Sequence, residues 1–258
     1  MDGRTFEVVC EIEPATTPDL RRVRHQIGVL SAVSQLFLIP DNHIGRATVS
    51  SIAVAHEVIQ MGGRAIACLN ARDRNTLGFR RDLLTAAAYG VDEFLFVYGD
   101  RPESGRRSDD LSVRAMLEHA RRFEHQHQGS KSPLRLGVAS SLSPLPSWKR
   151  EADFIFAQVS FSVEHLLRWR GSLDFDGPVY AGVLVVASSQ MAAKLTADFP
   201  QLSVPDWLVE RVESKREAGV EAACEMVCEI RDSRAFDGVH LIGAHRYREV
   251  ARRLETML

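Results

Sequence analysis

Eight short apolar segments alternate singly with amphipathic ones along the whole chain, and this order constrains the fold more than any other feature. The strand-like segments are 6–12, 36–39, 64–69, 93–97, 134–138, 153–158, 179–185 and 238–241. Helical periodicity covers 18–30, 49–60, 76–89, 110–126, 162–169, 188–197, 220–231 and 246–256, and only a very short helix within 146–150 separates the fifth and sixth strands. Strands that alternate one by one with helices pair in parallel through right-handed crossovers. Eight such units in 258 residues predict the α/β class and a closed (β/α)8 TIM barrel rather than an open doubly wound sheet. No composition shift or long linker interrupts the pattern, so residues 1–258 are expected to form a single domain. The stretch 100–108 is the most polar loop.

In such barrels chemistry gathers at the carboxyl ends of the strands. The polar residues expected there are Glu11 and Glu13, Asp41 and Asn42, Asn70 and Asp73, Tyr98 and Asp100, Ser140 and Ser141, Gln158, and His245 with Arg246. They are carboxylates, carboxamides and other hydrogen-bonding groups, without the spacing of a metal-ligand cluster.

Several function classes are excluded. There is no G-x-G-x-x-G after a strand, no G-x-x-x-x-G-K-[ST], no G-x-S-x-G and no H-E-x-x-H. The H-x-H at His125 and His127 falls in the polar tail of a predicted helix, away from the expected mouth, so no metal is expected. Only four lysines occur, none inside a predicted strand where a Schiff-base aldolase of this architecture would carry its amine. The formal net charge of -2 gives no reason to expect nucleic acid or an anionic membrane as partner. No apolar run approaches the roughly 18–20 residues that span a bilayer, and residues 1–4 run straight into a strand with no visible leader. Cys10 and Cys68 fall in predicted strands, and Cys224 and Cys228 stand one turn apart on a predicted helix. They read as reduced thiols in a cytoplasmic protein. Oligomeric state stays open.

Five segments together resemble the methylenetetrahydrofolate reductase family. They are Val8-Val9-Cys10-Glu11-Ile12-Glu13-Pro14, Tyr98-Gly99-Asp100-Arg101-Pro102, and the sixth strand with Gln158 followed by Phe161. Further on come Val204-Pro205-Asp206-Trp207-Leu208 with the helix from Gly219, and Gly238-Val239-His240-Leu241 with Arg246. Each is short, but their order and spacing extend over nearly the whole chain.

The resemblance implies a folate-dependent oxidoreductase that reduces the one-carbon bridge of 5,10-methylenetetrahydrofolate to a methyl group with hydride from NADH or NADPH, NADH being mildly favoured. It implies Glu11 as the proton donor that opens the bridge. A carboxylic acid donates near neutral pH only where burial or a neighbouring charge favours its protonated form, and an apolar strand end beside Glu13 is expected to supply both. The plainer alternative for Glu11 is an ion-paired carboxylate. Asp100 would bind the pterin and stabilise the developing cation, or else cap its loop. Gln158 would read the pterin edge, since a carboxamide both donates and accepts, and Phe161 would offer an aromatic face. Arg246 corresponds to an arginine on the cofactor side.

The chain departs from the family where FAD is gripped. The family's His-Leu-Thr-Cys after the third strand is Cys68-Leu69-Asn70-Ala71 here, its arginine before Gly-Asp is Tyr98, and its tyrosine and histidine after the fifth strand give way to residues 138–144. The loop that follows is shorter by roughly a dozen residues. FAD is therefore expected to be absent, with Asn70, Tyr98, Ser140 and Arg246 left as candidates to hold the nicotinamide nucleotide. A conventional FAD-dependent member, a deazaflavin-dependent barrel reductase and a catalytically silent folate-binding module are the alternatives.

Overall fold

Short β-rich runs ending in polar residues become strands, and the amphipathic segments between them pack outside. The computed structural model describes residues 5–127, 133–199, 202 and 204–258. Residues 1–4, read above as carrying no leader, lie outside the described residues. The strands are β1 (Glu7–Glu11), β2 (Leu36–Ile39), β3 (Arg64–Asn70), β4 (Glu93–Val97), β5 (Arg135–Ser140), β6 (Phe154–Val159), β7 (Val179–Leu184) and β8 (Gly238–Ile242). All pair in parallel with their sequence neighbours, and β8 closes on β1. The (β/α)8 barrel expected from the alternation is the observed fold.

The described helices are α1 (Arg21–Leu30), α2 (Ser51–Gln60), α3 (Thr76–Tyr89), α4 (Val113–Gln126), α5 (Val163–Gly171), α6 (Ser189–Asp198), α7 (Asp206–Ser214), α8 (Ala218–Ser233) and α9 (Tyr247–Leu254). Polar caps set several starts. Asn75, Ser112, Ser162 and Ser188 each accept a hydrogen bond from the backbone N–H three residues on. Between β5 and β6 a 3-10 turn at Ser147–Glu151 replaces a full helix. Helix α7 was not anticipated: it buries only Leu208 and Val212, a single i,i+4 pair, which is too short an apolar stripe to stand out in sequence. Among the described residues, no helix is long and apolar enough to cross a membrane.

Strand parity decides what lies inside. Val9, Leu36, Leu38, Ile66, Cys68, Leu95, Phe154, Phe156 and Tyr180 fill the barrel, while residues of the opposite parity pack under the helices. Phe154, Phe156 and Tyr180 from β6 and β7 are the interior's three aromatic rings, with Phe156 stacked on Tyr180 at 4.9 Å. Gly137 gives them room: a Cβ there would stand 1.9 Å from the Phe154 ring. At the amino-terminal end the interior closes with charge. Arg64 pairs with Glu7 (2.8 Å) and Glu93 (3.0 Å), Arg135 pairs with Glu93 (2.8 Å), and the Tyr180 hydroxyl donates to Glu7 (2.7 Å). Burial, and then the Glu7 bond, push the Tyr180 hydroxyl pKa up.

Gly137→Ala should overpack this interior and lower unfolding free energy by about 1–3 kcal/mol, read as a shift in urea midpoint. An unchanged midpoint would show that Phe154 can yield without cost.

Candidate active site

The carboxyl-terminal mouth gathers most of the residues expected there. Glu11 ends β1 with the inward parity of Val9. Its carboxylate meets His240 Nε2 of β8 at 3.1 Å, and both side chains are nearly buried. The His240 ring packs edge-on against Phe156 at 5.2 Å, so the aromatic interior orients the histidine and the histidine orients the acid. His240 was not among the expected site residues. The pairing of Val9 with His240 across the β1–β8 seam turns it inward, a register that strands buried on both faces do not reveal in sequence. Glu13, expected beside Glu11, turns to α1 and the last loop, where it pairs with Arg22 and His245.

Gln158 lies near the end of β6, within the register shift that separates the Phe156–Tyr180 and Val159–Gly182 pairs. Its carboxamide is half-buried and makes no hydrogen bond among the described residues. Asp100 stands three residues beyond β4 on an exposed turn, and its carboxylate accepts the Ile44 N–H at 3.0 Å. The loops after β2 and β4 are thus tied, and Glu103 N–H donates to Gly45 C=O (2.8 Å) as a second link. Gly99, before Asp100, has φ +95°, and a Cβ there would press on Asn70 at 2.9 Å. Glu11, Asp100 and Gln158 therefore share one end of the barrel, two on strands and one on a loop.

The nucleotide candidates are placed less uniformly. Asn70 is buried at the inward end of β3. Its amide donates to Asp41 and Asp73 (both 2.9 Å), and its carbonyl accepts the Asp73 N–H (2.9 Å). Arg74 completes the network, pairing with Asp41 at 2.7 Å and Asp82 at 3.1 Å. Burial works against the Arg74 charge, but the two carboxylates outweigh it and hold its pKa above the ordinary value. Tyr98 is exposed, with the Arg72 and Arg107 guanidinium groups 5.5 and 5.1 Å from its ring centroid. Ser140 is buried with the outward parity of Leu136 and Val138, and its hydroxyl donates to Ser141 C=O (3.2 Å). Arg246 precedes α9, donates to Arg216 C=O (3.0 Å) and lies 3.3 Å from Glu249. Lys149 donates to Ala139 C=O (2.7 Å), and burial lowers its pKa. Phe161 follows β6 and lines a cavity with Leu184, Trp207 and Met226.

Cys10, Cys68 and Cys224 are buried thiols. Burial pushes Cys10 and Cys224 up to about 12, and raises Cys68 well above its usual value with help from the Glu11 and Asp41 charges. Such thiols are poor nucleophiles. Among the described residues, no three His, Cys, Asp or Glu side chains converge as a metal would need.

A sequence profile of the methylenetetrahydrofolate reductase family matches residues 148–256, the segment that carries Gln158, Phe161, His240 and Arg246. Over these residues, fewer than half of the chain, it is similar to the methylenetetrahydrofolate reductase family. That family comprises oxidoreductases of folate metabolism. Among curated proteins none matches the chain by sequence. Solved structures resemble it along nearly its whole length. A Clostridium thermocellum protein described as binding two copies of 5-methyl-5,6,7,8-tetrahydrofolic acid has a TM-score of 0.64 at 11% identity, covering 99% of this chain and 97% of that one. The spore cortex-lytic enzyme SleL of Bacillus cereus has a TM-score of 0.58 at 11% identity, covering 97% and 74%. A β-1,3-glucanosyltransferase of Rhizomucor miehei has 0.55 at 10%, covering 91% and 85%. At such identities the likeness is one of fold.

Asp41→Asn removes the charge that steadies buried Arg74 and should lower stability by about 2–4 kcal/mol. Urea denaturation followed by circular dichroism measures it. A loss below about 0.5 kcal/mol would show that Asp82 alone suffices.

Proposed function

We propose that the chain reduces 5,10-methylenetetrahydrofolate to 5-methyltetrahydrofolate by direct hydride transfer from NADH or NADPH, with no resident flavin. The observation that carries this reading is the Glu11–His240 pair (3.1 Å) at the barrel mouth, on a chain whose residues 148–256 match the reductase family. Folate binding by the Clostridium thermocellum protein of like fold supports a folate as substrate.

The substrate's methylene group bridges N5 and N10. Glu11 delivers a proton to N10 as the carbon–N10 bond breaks, leaving a cationic N5-iminium. His240, in contact with the Glu11 carboxylate, both orients it and exchanges the proton with it. The Asp100 carboxylate, held by the Ile44 N–H, stabilises the cation, while the unengaged Gln158 carboxamide reads the pterin edge. Hydride from nicotinamide C4 then adds to the iminium carbon, giving the methyl group and the oxidised nucleotide. Both ligands must be bound together, with the reacting carbons roughly 3–3.5 Å apart.

The polar groups present fit a flavin poorly. Asn70 has its carboxamide taken up by Asp41 and Asp73, Lys149 is pinned to Ala139 C=O, and the Ser140 hydroxyl turns to Ser141. At these three positions the polar groups are already engaged, which favours transfer without a flavin. NADH is preferred to NADPH only mildly. Phe161, beside Trp207 and Leu184, offers apolar area to the folate ring system, and Tyr98 and Arg246 remain on the nucleotide side.

Purified protein given methylenetetrahydrofolate and NADH deuterated at C4 should place deuterium in the product methyl group. A stoichiometric flavin absorption band, bleached by NADH before folate is added, would defeat the direct route. Glu11→Gln should lower turnover by about 100-fold or more while folate affinity, measured by calorimetry, stays close to that of the parent. Undiminished turnover would remove Glu11 from the acid role.

A further inference from the structure

Arg72 takes no part in the scheme above, yet it is a costly residue to keep. It is 9% exposed, forms no ion pair among the described residues, and its Nε and Nη1 are buried without a hydrogen-bond partner. The main chain there is firmly held. Its N–H donates to Tyr98 C=O (3.2 Å), and its C=O accepts the Ser108 N–H (2.7 Å). Arg74, two residues on and similarly buried, shows how this protein satisfies a structural arginine, with two carboxylates and a backbone carbonyl. Arg72 has only the face of Tyr98, 5.5 Å from its guanidinium carbon. Stacking on a ring offsets part of the cost of taking a guanidinium out of water, but it leaves the N–H groups idle.

A buried guanidinium with idle donors is completed by an oxyanion. Arg107, itself paired with exposed Asp109 at 2.6 Å, approaches the same Tyr98 ring at 5.1 Å, so two guanidinium groups converge on one exposed aromatic at the carboxyl-terminal mouth. We propose that Arg72, assisted by Arg107, docks the diphosphate of a dinucleotide. The two charges of a diphosphate match two guanidinium groups. The diphosphate also lies one ribose away from the reactive nicotinamide, which suits a site two residues from Asp100. The folate's glutamate carboxylates are the competing anions. They stand a whole p-aminobenzoyl unit from the pterin, so they reach further out of the mouth. The proposal rests on the reductase reading for the identity of the dinucleotide, but the anion site itself does not depend on it. Nicotinamide and flavin dinucleotides share this diphosphate chemistry.

Calorimetric titration of the intact protein tests it, with inorganic pyrophosphate, ADP-ribose, NADH, FAD and 5-methyltetrahydrofolate as mono- and polyglutamate. Arg72→Met should weaken ADP-ribose and NADH about 30-fold or more, as expected when one partner of a buried charge pair is removed, and leave the folates unchanged. Arg107→Gln should weaken them by a smaller factor. Without ligand, Arg72→Met should melt at or above the parent temperature, because an unpaired buried charge has been removed. Equal affinity of parent and Arg72→Met for ADP-ribose overturns the proposal. So does a loss confined to folate polyglutamate. Should Arg72→Met fail to fold, parent protein that gains no thermal stability from pyrophosphate or ADP-ribose overturns it equally. Arg72-dependent binding of pyrophosphate without any binding of NADH keeps the anion site and rejects the reductase reading. Arg72-dependent binding of FAD but not NADH keeps the site and rejects the flavin-free route.

Discussion

Side chains alternate across a β-strand, and in a closed barrel one set must fill a narrow interior with no solvent to absorb errors. Here that interior is occupied by Phe154, Phe156 and Tyr180 beside the bare backbone of Gly137. The same packing reaches the chemistry. Phe156 supports His240, and His240 meets Glu11. A slip of one residue in β1 would bring Cys10 inside and send Glu11 under the helices.

Much of this was legible in the sequence, and the parts that were not share a physical cause. The runs 36–39 and 93–97 became β2 and β4 with the same bounds, because short apolar stretches between turns can hardly be anything else in this alternation. Glu11 and Gln158 could be named because each stands at or next to the carboxyl end of its strand. His240 could not be singled out, since the strands are buried on both faces and their sequence shows no polar–apolar alternation to reveal which parity looks inward. Arg72 was hidden for another reason. An arginine after a strand looks like a solvated loop residue until its partners, or their absence, can be seen. Asn70 was foreseen at the mouth, but its carboxamide is held by Asp41 and Asp73, which arrive from different turns.

The mouth is built unevenly. On the side of β2, β3 and β4, loops are braced by Asp41, Asn70, Asp73 and Arg74 and by the link between Asp100 and Ile44. On the side of β6 and β7, Phe161, Leu184 and Trp207 present apolar surface. The two sides of the mouth thus differ in chemistry, one polar and braced by hydrogen bonds, the other more apolar.

The ionic lattice of Glu7, Arg64, Glu93 and Arg135 beneath Tyr180 seals the amino-terminal end of the barrel. With Phe154, Phe156 and Tyr180 packed above that floor, the Glu11 carboxylate is approached from the carboxyl-terminal side, and the far end of the molecule serves to hold the seam on which Glu11 and His240 meet.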